Sequence, residues 1–220
     1  CWHDYFRWGM RGMIEEARLD REEFARIMDP RAVGFTNALQ RIAYTESHDE
    51  ERVRRELKLK GFSQDESFRR AELALALTLT APGPAMIYAG QEFGEDTPKT
   101  VGSNPLSWSR LEGWFNRRHR QLQDSTRALV QLRTSHPALR SGEVKVQQDD
   151  LPASVVVYER RGDEAAVVVA ANFGRTGQKV SVRLPHGGTW RNVLEKENFE
   201  PNRNGNTSIY LEPGAVAVLA

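Results

Sequence analysis

Residues 41–50 read RIAYTESHDE, and this stretch decides how the first half of the chain is interpreted. Its apolar residues Ile42, Ala43 and Tyr44 are typical of a short buried strand. Residues 44–50 hold three carboxylates and one histidine. The stretch therefore predicts a strand at residues 41–46 that ends in a cluster of polar side chains.

A second apolar segment follows a predicted helix. Residues 66–80, ESFRRAELALALTLT, have the broad apolar face of a long helix, and the sequence Ala-Pro-Gly-Pro at 81–84 ends it. Residues 85–90, AMIYAG, predict another buried strand, and the polar loop QEFGED follows at 91–96. The order strand, helix, strand, with both strands apolar, predicts a βαβ unit and therefore parallel strands.

Further helices are predicted on either side of this unit. Residues 2–16 carry apolar side chains at roughly helical spacing, so the two tryptophans of this segment are assigned to a packed helix face. Residues 20–28 predict a shorter helix with Asp20 as its N-cap. Residues 115–134 predict another amphipathic helix. The order of elements in the first part of the chain is therefore that of an α/β fold.

The pattern changes after His136 and Pro137. Seven short runs rich in valine and other strand-forming residues follow, with turn residues between them. These runs lie at residues 143–148, 154–160, 165–173, 178–184, 189–194, 207–211 and 215–220. Their number and spacing predict an antiparallel β-sandwich. We therefore divide the chain into residues 1–139 and 140–220.

Composition excludes several classes of function. The chain has 31 basic and 30 acidic residues, a net charge of +1 without basic clusters, which argues against nucleic acid as a partner. No apolar run reaches the roughly 18 residues of a membrane span. The single cysteine, Cys1, rules out an intrachain disulfide and favours a cytoplasmic location. Because the chain starts at Cys1 and its first methionine is Met10, we expect it to be a piece of a longer protein.

The polar residues after the two predicted strands are the candidate functional groups. In parallel α/β folds such groups collect at the carboxyl ends of strands. Glu46, His48, Asp49 and Glu50 follow the first strand, and a carboxylate beside a histidine can transfer protons, bind sugar hydroxyls or hold a metal. The alternative is structural, since serine and aspartate after a strand commonly cap the next helix. The polar loop at 91–96 has the same two interpretations.

Two motifs carry a resemblance to a known family. The sequence YTESHDE resembles the fourth conserved region of the α-amylase family of glucan-active enzymes, in which a His-Asp pair follows the seventh strand of a barrel. GPAMIYAGQEFGED, at residues 83–96, resembles the eighth-strand segment of the same family, and NPLSW, at 104–108, resembles the short motif before the last barrel helix. The resemblance implies the last strands and helices of a (β/α)8 TIM-type barrel, followed by the family's C-terminal antiparallel β-sandwich.

The resemblance also implies roles for particular residues. His48 matches the family's histidine, which hydrogen-bonds hydroxyls of the sugar at the cleavage subsite. Asp49 matches the aspartate that grips the same hydroxyls and stabilises the cation-like transition state. Other substrate-binding candidates lie near the same barrel mouth: Glu46, Gln91, Glu92 and Trp108. His119, His136 and His186 lack the spacing of metal ligands, so we expect no metal site and no cofactor in these residues. The family's usual calcium-binding loops lie upstream of the matched motifs, so calcium stays open for the parent protein.

Each weaker candidate also has a structural interpretation. A turn-forming role is favoured for Gln91 and Glu92, and burial of a loop is favoured for Trp108. Trp190 and Tyr158 either form a carbohydrate-binding surface or serve packing in the core or at the surface, and packing is favoured.

The reaction of this family needs two further carboxylates. They are a nucleophile and a proton donor, which lie about 5–5.5 Å apart in a retaining enzyme. The family carries both upstream of the His-Asp motif, and residues 1–40 match neither motif. We therefore expect the chain alone to be inactive. The absence of the first barrel strands would leave an exposed edge, which the missing N-terminal part of the same enzyme or a second chain would cover.

Three functions remain open. The first is hydrolysis of α-1,4-glucosidic bonds with retention, as the C-terminal piece of an enzyme that acts on α-glucans or maltooligosaccharides. The ESHD form of the motif leaves glucan branching or another 4-α-glucanotransferase activity as an alternative. The third is a non-catalytic glucan-binding module.

Overall fold

The computed structural model describes residues 1–2, 4–140, 143–147, 150–162 and 165–220. Helices occupy the first part of this chain and strands the second. The helices are α1 (Asp4–Glu16), α2 (Arg21–Met28), α3 (Val53–Leu59), α4 (Gln64–Thr80) and α5 (Arg117–Ser135). Among the described residues, none of these helices combines the length and apolar character needed to cross a lipid bilayer.

Local capping explains where the predicted helices begin and end. Asp20 caps α2, because its side chain accepts a 3.0 Å hydrogen bond from the Glu23 backbone N–H. Ser63 caps α4 in the same way, with Glu66 as the donor at 3.2 Å. Helix α4 is the central helix, since five consecutive residues from Leu73 to Leu77 are fully buried. The sequence prediction did not include α3, which begins within the charged segment after the His-Asp turn.

The two strands predicted at 41–46 and 85–90 are present only as isolated bridges. Ala43 bridges Ala85 and Ile42 bridges Trp2, both in parallel orientation. The Ala43 backbone N–H donates to the Pro84 carbonyl oxygen at 2.8 Å. The prediction of two full strands is therefore wrong in extent, whereas the parallel orientation is confirmed. One bridge on each side does not form the repeated ladder that defines a strand.

The strands of the second part form three antiparallel groups. Strands β1 to β8 span, in order, Val144–Val146, Val155–Arg161, Ala166–Asn172, Gln178–Arg183, Trp190–Arg191, Asn198–Phe199, Asn206–Leu211 and Val216–Leu219. A four-stranded sheet has the order β1-β2-β3-β8, and β4 pairs with β7 and β5 with β6. All seven predicted runs contain a strand, although Gln148, at the end of the first run, lies outside the described residues. The short strand β6 was not predicted.

The four-stranded sheet is the middle layer of the molecule. Strands β2, β3 and β8 are buried along almost their whole length, because both of their faces are covered. One face packs on the helices, where the Tyr158 ring lies 5.5 Å from that of Phe24. The opposite face shares a second core with the β4–β7 pair, in which Val155 and Val157 contribute beside Val180. Trp190 belongs to this second core and is 1% exposed. The interpretation of Trp190 and Tyr158 as packing residues is therefore confirmed, with Tyr158 in the core between sheet and helices and Trp190 in the second core.

Candidate functional site

A cleft lies where the two bridged segments end. It is a narrow cleft, with a cavity volume of about 20 Å³, that opens to solvent between the turn after Tyr44 and the loop after Tyr88. Its lining consists of His48, Glu50, Arg52, Tyr88, Glu95, Thr97, Lys99, Asn104 and Pro105. The polar residues that follow the two predicted strands are thus brought together.

Hydrogen bonds within the turn set the positions of His48 and Asp49. Glu50 Oε2 accepts from the backbone N–H of Ser47 at 3.0 Å and from its hydroxyl at 2.6 Å. The Ser47 hydroxyl oxygen in turn accepts from the Asp49 backbone N–H at 3.2 Å. The side chains of His48 and Asp49 project outward, 65% and 68% exposed, with Nε2 and Oδ1 3.4 Å apart. His48 thus lines the cleft, and the Asp49 carboxylate lies beside it in solvent.

An aromatic group flanks His48. The Trp2 ring lies 5.9 Å from the His48 ring and 5.8 Å from that of Tyr44. Trp2 is 48% exposed and precedes α1, and Trp8 is 65% exposed with the Arg7 guanidinium 4.1 Å from its ring. The prediction that both tryptophans pack on a buried helix face is therefore wrong. The reason is that the buried face of α1 is formed by other residues, among them Phe6 and Met10.

Glu46 lies in the interior, beneath the turn. Its Oε1 accepts from the Val53 backbone N–H at 2.8 Å, and its Oε2 accepts from Arg52 at 3.2 Å. Arg52 also donates to the Ala89 carbonyl oxygen at 2.8 Å and stacks on the Tyr88 ring. Burial raises the pKa of Glu46, and the charge of Arg52 opposes that shift. Glu46 thus ties the start of α3 to the segment after the second bridge.

Gln91 and Glu92 hold the turn that follows the second bridged segment. The buried Gln91 side chain donates to the Thr45 hydroxyl at 2.8 Å and accepts from the Tyr88 backbone N–H at 3.3 Å. Glu92 accepts from the Gly90 backbone N–H at 2.7 Å. Within the part of the chain that the structure describes, neither side chain lines the cleft. Both make the contacts of a structural turn.

Trp108 stands apart from the cleft lining. Its side chain is 57% exposed, and its ring lies 5.5 Å from the ring of the buried Phe93. It covers one side of Phe93 and leaves its own outer face in solvent. The neighbouring Ser107 is fixed by a 2.7 Å hydrogen bond from its backbone N–H to Glu95.

An ion-pair network beneath the cleft was not predicted from the sequence. Asp96 accepts from Arg54 at 2.7 Å and from Lys58 at 2.9 Å, and Arg110 pairs with both Asp96 and Glu95, at 2.5 and 3.2 Å. Burial opposes ionisation of both carboxylates, but the ion pairs of Asp96 and, above all, the hydrogen bonds of Glu95 prevail and lower both pKa values, that of Glu95 to about 2. Hydrogen bonds from the Thr97 hydroxyl and two backbone N–H groups contribute to the shift at Glu95. The network fixes the loop that forms one wall of the cleft.

His119 completes this network from helix α5. Its Nδ1 lies 2.6 Å from the Phe93 carbonyl oxygen and its Nε2 lies 3.3 Å from Arg54. This arrangement suits a neutral ring that donates from Nδ1, and burial lowers the pKa of His119. Among the described residues, no cluster of three or more histidine, cysteine or carboxylate side chains is arranged to hold a metal ion. Lys58 lies four residues after Arg54 on α3, a spacing that puts both side chains on one helix face, and this was the sequence signal for the network.

Comparison with known proteins relates the chain to a group of glucan-active enzymes. Residues 146–217 match the family described as Maltogenic Amylase, C-terminal domain. A 1,4-α-glucan branching enzyme from Corynebacterium jeikeium is 33% identical over 149 residues, which cover 63% of this chain and 20% of that enzyme. The α-amylase MalA from Haloarcula japonica is 27% identical over 203 residues, which cover 90% of this chain and 27% of that enzyme. The chain thus spans about a fifth to a quarter of these relatives.

Solved structures show the same fold. An Anoxybacillus α-amylase superimposes with a TM-score of 0.75 at 19% identity, over 98% of this chain and 46% of that one. An Anoxybacillus pullulanase complexed with maltotetraose gives a TM-score of 0.74 at 20% identity, over 99% of this chain and 34% of that one. The fold described above, helices followed by antiparallel sheets, is therefore also present in a part of each of these enzymes.

Proposed function

Because this chain belongs to the α-amylase family and corresponds to a C-terminal part of its members, we propose that it acts within an enzyme that binds and cleaves or transfers α-glucans. In this proposal the chain supplies residues that hold the substrate. The observation that carries it is the meeting of the two motif segments at one cleft, with His48 in its lining and the exposed Asp49 carboxylate 3.4 Å from the His48 ring.

The proposed architecture is the last part of a (β/α)8 barrel at residues 1–139, followed by a β-sandwich at 140–220. The parallel bridges from Ile42 to Trp2 and from Ala43 to Ala85 support this architecture, because barrel strands are parallel neighbours. The side chains that follow Ala43 and Ala85 would then lie at the carboxyl-terminal face of the barrel. That face is where barrel enzymes carry their active sites.

In the proposed mechanism His48 and Asp49 grip hydroxyl groups of the sugar whose bond is broken. The ring gains positive character in the transition state, so hydrogen bonds from its hydroxyls to an ionised Asp49 become stronger as that charge develops. His48, 3.4 Å from Asp49, orients the same sugar by a second hydrogen bond. Contacts that strengthen only in the transition state raise the rate of the chemical step.

The nucleophile and the proton donor of the proposed reaction belong to polypeptide beyond these 220 residues. Residues 1–40 match neither of the family's motifs for these carboxylates, and the branching-enzyme relative has about four-fifths of its length outside the match. We therefore expect this chain to bind α-glucan without cleaving it. The expected product stereochemistry of the complete enzyme is retention.

Glucan branching is the second candidate reaction. It is supported by the 33% identity to a branching enzyme over 149 residues. Analysis of the products that the complete enzyme forms from amylose separates the two candidates. New α-1,6 branch points support transfer, whereas shorter linear maltooligosaccharides support hydrolysis.

Calorimetric titration of the chain with maltooligosaccharides tests the site. We expect His48→Ala and Asp49→Asn to weaken binding about tenfold or more, because each removes a hydrogen bond to the ligand. His186→Ala, which removes an exposed histidine from the β-rich part, is the matched control and should leave the affinity unchanged. Binding that survives both cleft substitutions would instead support a non-catalytic glucan-binding surface elsewhere on the chain.

A further inference from the structure

Arg7 of helix α1 is buried beside the His-Asp turn. Its side chain is 7% exposed, and its Nε lies 3.0 Å from Glu50 Oε1, which belongs to a side chain that is 16% exposed. A buried guanidinium keeps its charge and needs partners on several sides. Arg7 has two carboxylate partners, and each leads to one of the two proposed substrate-binding residues.

The first connection runs from Arg7 to the backbone of Asp49. Glu50 pairs with Arg7 through one carboxylate oxygen and accepts two hydrogen bonds from Ser47 with the other. The Ser47 hydroxyl then accepts from the Asp49 backbone N–H. Because Ser47 is 2% exposed, this arrangement is shielded from water. Arg7 therefore sets the orientation of Glu50, and Glu50 sets the shape of the turn.

The second connection runs from Arg7 towards the ring of His48. Arg7 Nη2 lies 3.6 Å from Asp4 Oδ1, which accepts a 2.6 Å hydrogen bond from the Tyr44 hydroxyl. Burial raises the pKa of Tyr44 to about 12, and the hydrogen bond to Asp4 adds to the shift. The Tyr44 ring contacts Trp2, which packs edge-on against His48. Arg7 thus lies beside the Asp4–Tyr44 pair, and Tyr44 and Trp2 pack in turn towards the His48 ring.

We propose that Arg7 is a positioning residue for the His48–Asp49 pair, acting through Glu50 on one side and through Asp4 on the other. This inference rests on the proposed function of that pair. An arginine suits the position because its planar fork presents donors in two directions, whereas a lysine ammonium is a single point charge. The positive charge of Arg7 also offsets the negative charges of Glu50 and Asp4, which would otherwise repel Asp49 and each other.

Hydrogen exchange of the Asp49 amide tests the connection without any ligand. In Arg7→Met we expect this amide to exchange about tenfold faster than in the wild type, the factor that corresponds to losing one hydrogen bond of ordinary net strength. Arg7→Lys should give an intermediate rate. Amides of the central sheet, such as that of Val168, serve as the internal reference for global stability.

Arg11→Met is the matched control. Arg11 is a buried arginine of the same helix that pairs with Glu15 instead of with the turn. It should lower global stability as Arg7→Met does, while leaving the Asp49 exchange rate relative to Val168 unchanged. An unchanged Asp49 rate in Arg7→Met, or an equal increase in Arg11→Met, overturns the proposal.

Glu50→Gln makes the same test from the other end if Arg7→Met does not fold. The glutamine can still accept from Ser47 but loses the ion pair with Arg7, so the Asp49 amide should again exchange faster. An unchanged rate in this variant also overturns the proposal.

Titration with maltotetraose separates this inference from the proposed function. A wild-type chain that binds, together with an Arg7→Met chain that binds about tenfold more weakly, supports both. Faster Asp49 exchange in Arg7→Met without maltotetraose binding by the wild type supports the positioning role and contradicts the proposed function. Unchanged exchange with normal binding by both proteins contradicts only the role of Arg7.

Discussion

Arg70 in helix α4 donates a 2.8 Å hydrogen bond to the carbonyl oxygen of Phe173, directly after strand β3. The same guanidinium donates to the carbonyl oxygens of Gly174 and Ile14, and it pairs with Glu66. Its side chain is fully buried. One side chain therefore joins the helical part of the chain to the four-stranded sheet.

Arg70→Met should lower the free energy of unfolding by about 3–5 kcal/mol. The substitution leaves buried carbonyl oxygens without donors and removes the partner of Glu66. Urea unfolding followed by circular dichroism measures the change. Arg127→Met is the control, because Arg127 and Asp124 form an exposed pair on α5 whose loss should cost less than about 1 kcal/mol. Equal decreases in the free energy of unfolding for the two variants would contradict the role of Arg70 in joining the helices to the sheet.

Gly214 provides a second test of the packing around Arg70. Its φ of +70° disfavours any side chain, and a Cβ there would lie 2.5 Å from Arg70 Cγ, which the hydrogen bonds hold in place. Gly188 has a φ of +100° and open space around its Cβ position. Gly188→Ala should therefore cost about 1 kcal/mol from the backbone alone, and Gly214→Ala should cost at least about 1 kcal/mol more. Similar melting temperatures for the two variants would contradict this contact.

Local signals in the sequence predicted the helices and strands well, because their causes are local. The Asp20 cap and the proline after α4 act within a few residues, and the valine-rich runs contain the sheet strands. The segments 41–46 and 85–90 were predicted as strands because apolar runs of this length suit a buried strand. Whether such a run forms a ladder depends on neighbouring segments, which local sequence does not contain. The result is one isolated bridge at Ile42 and one at Ala43 in place of the predicted strands.

The candidate site was predictable only in part. The position of the His48 turn at one cleft with the second motif follows from parallel segments that end on the same side. The buried partners of Arg54 and Arg70 were not predicted, because a pattern of charged residues on a helix is usually a solvated face. Their pairing depends on contacts between elements distant in sequence, such as the 42-residue separation between Arg54 and Asp96.

His119 makes stability depend on pH in mildly acidic solution. Burial lowers its pKa in the folded protein, and the nearby positive charges of Arg54 and Arg110 add to the effect, whereas the Phe93 carbonyl and Asp96 oppose it. The unfolded chain takes up a proton near pH 6.5 and the folded chain only below that. Between these two values the unfolded state binds more protons, so stability falls as the pH falls.

Urea unfolding between pH 5 and pH 7.5, a range chosen from the histidine reference value, measures this dependence. Stability should decrease by at most about 1.4 kcal/mol per pH unit for one proton. His119→Gln should reduce the slope, and the exposed His186→Gln should not. Burial lowers the pKa of His136 too, so part of the slope remains in His119→Gln. The lowered pKa values of Glu95 and Asp96 act in more acidic solution, below this range. An unchanged slope in His119→Gln would contradict the prediction.

The contacts of Glu46 and Gln91 predict that these residues support the cleft without touching the ligand. Glu46→Gln replaces one carboxylate oxygen, an acceptor, by an amide NH2 group, a donor. This donor would face another donor, the Val53 N–H or the Arg52 guanidinium, so the substitution should lower the free energy of unfolding by about 2–3 kcal/mol. Gln91→Met keeps the side-chain volume and loses the hydrogen bond to Thr45, at a cost of about 1–2 kcal/mol.

Glucan affinity distinguishes this support from direct contact. If both side chains act only by supporting the fold, Glu46→Gln and Gln91→Met should bind maltotetraose with an affinity within about twofold of the wild type, a difference of under 0.5 kcal/mol. The affinities are measured at a temperature where each variant remains folded. Asp49→Asn should show the opposite result, with unchanged stability and weakened binding, since its side chain is exposed. A Glu46→Gln variant that keeps its stability and loses glucan affinity would contradict this prediction and indicate that Glu46 contacts the substrate. Replacing a side chain without lowering stability is expected only where that side chain has no buried partners.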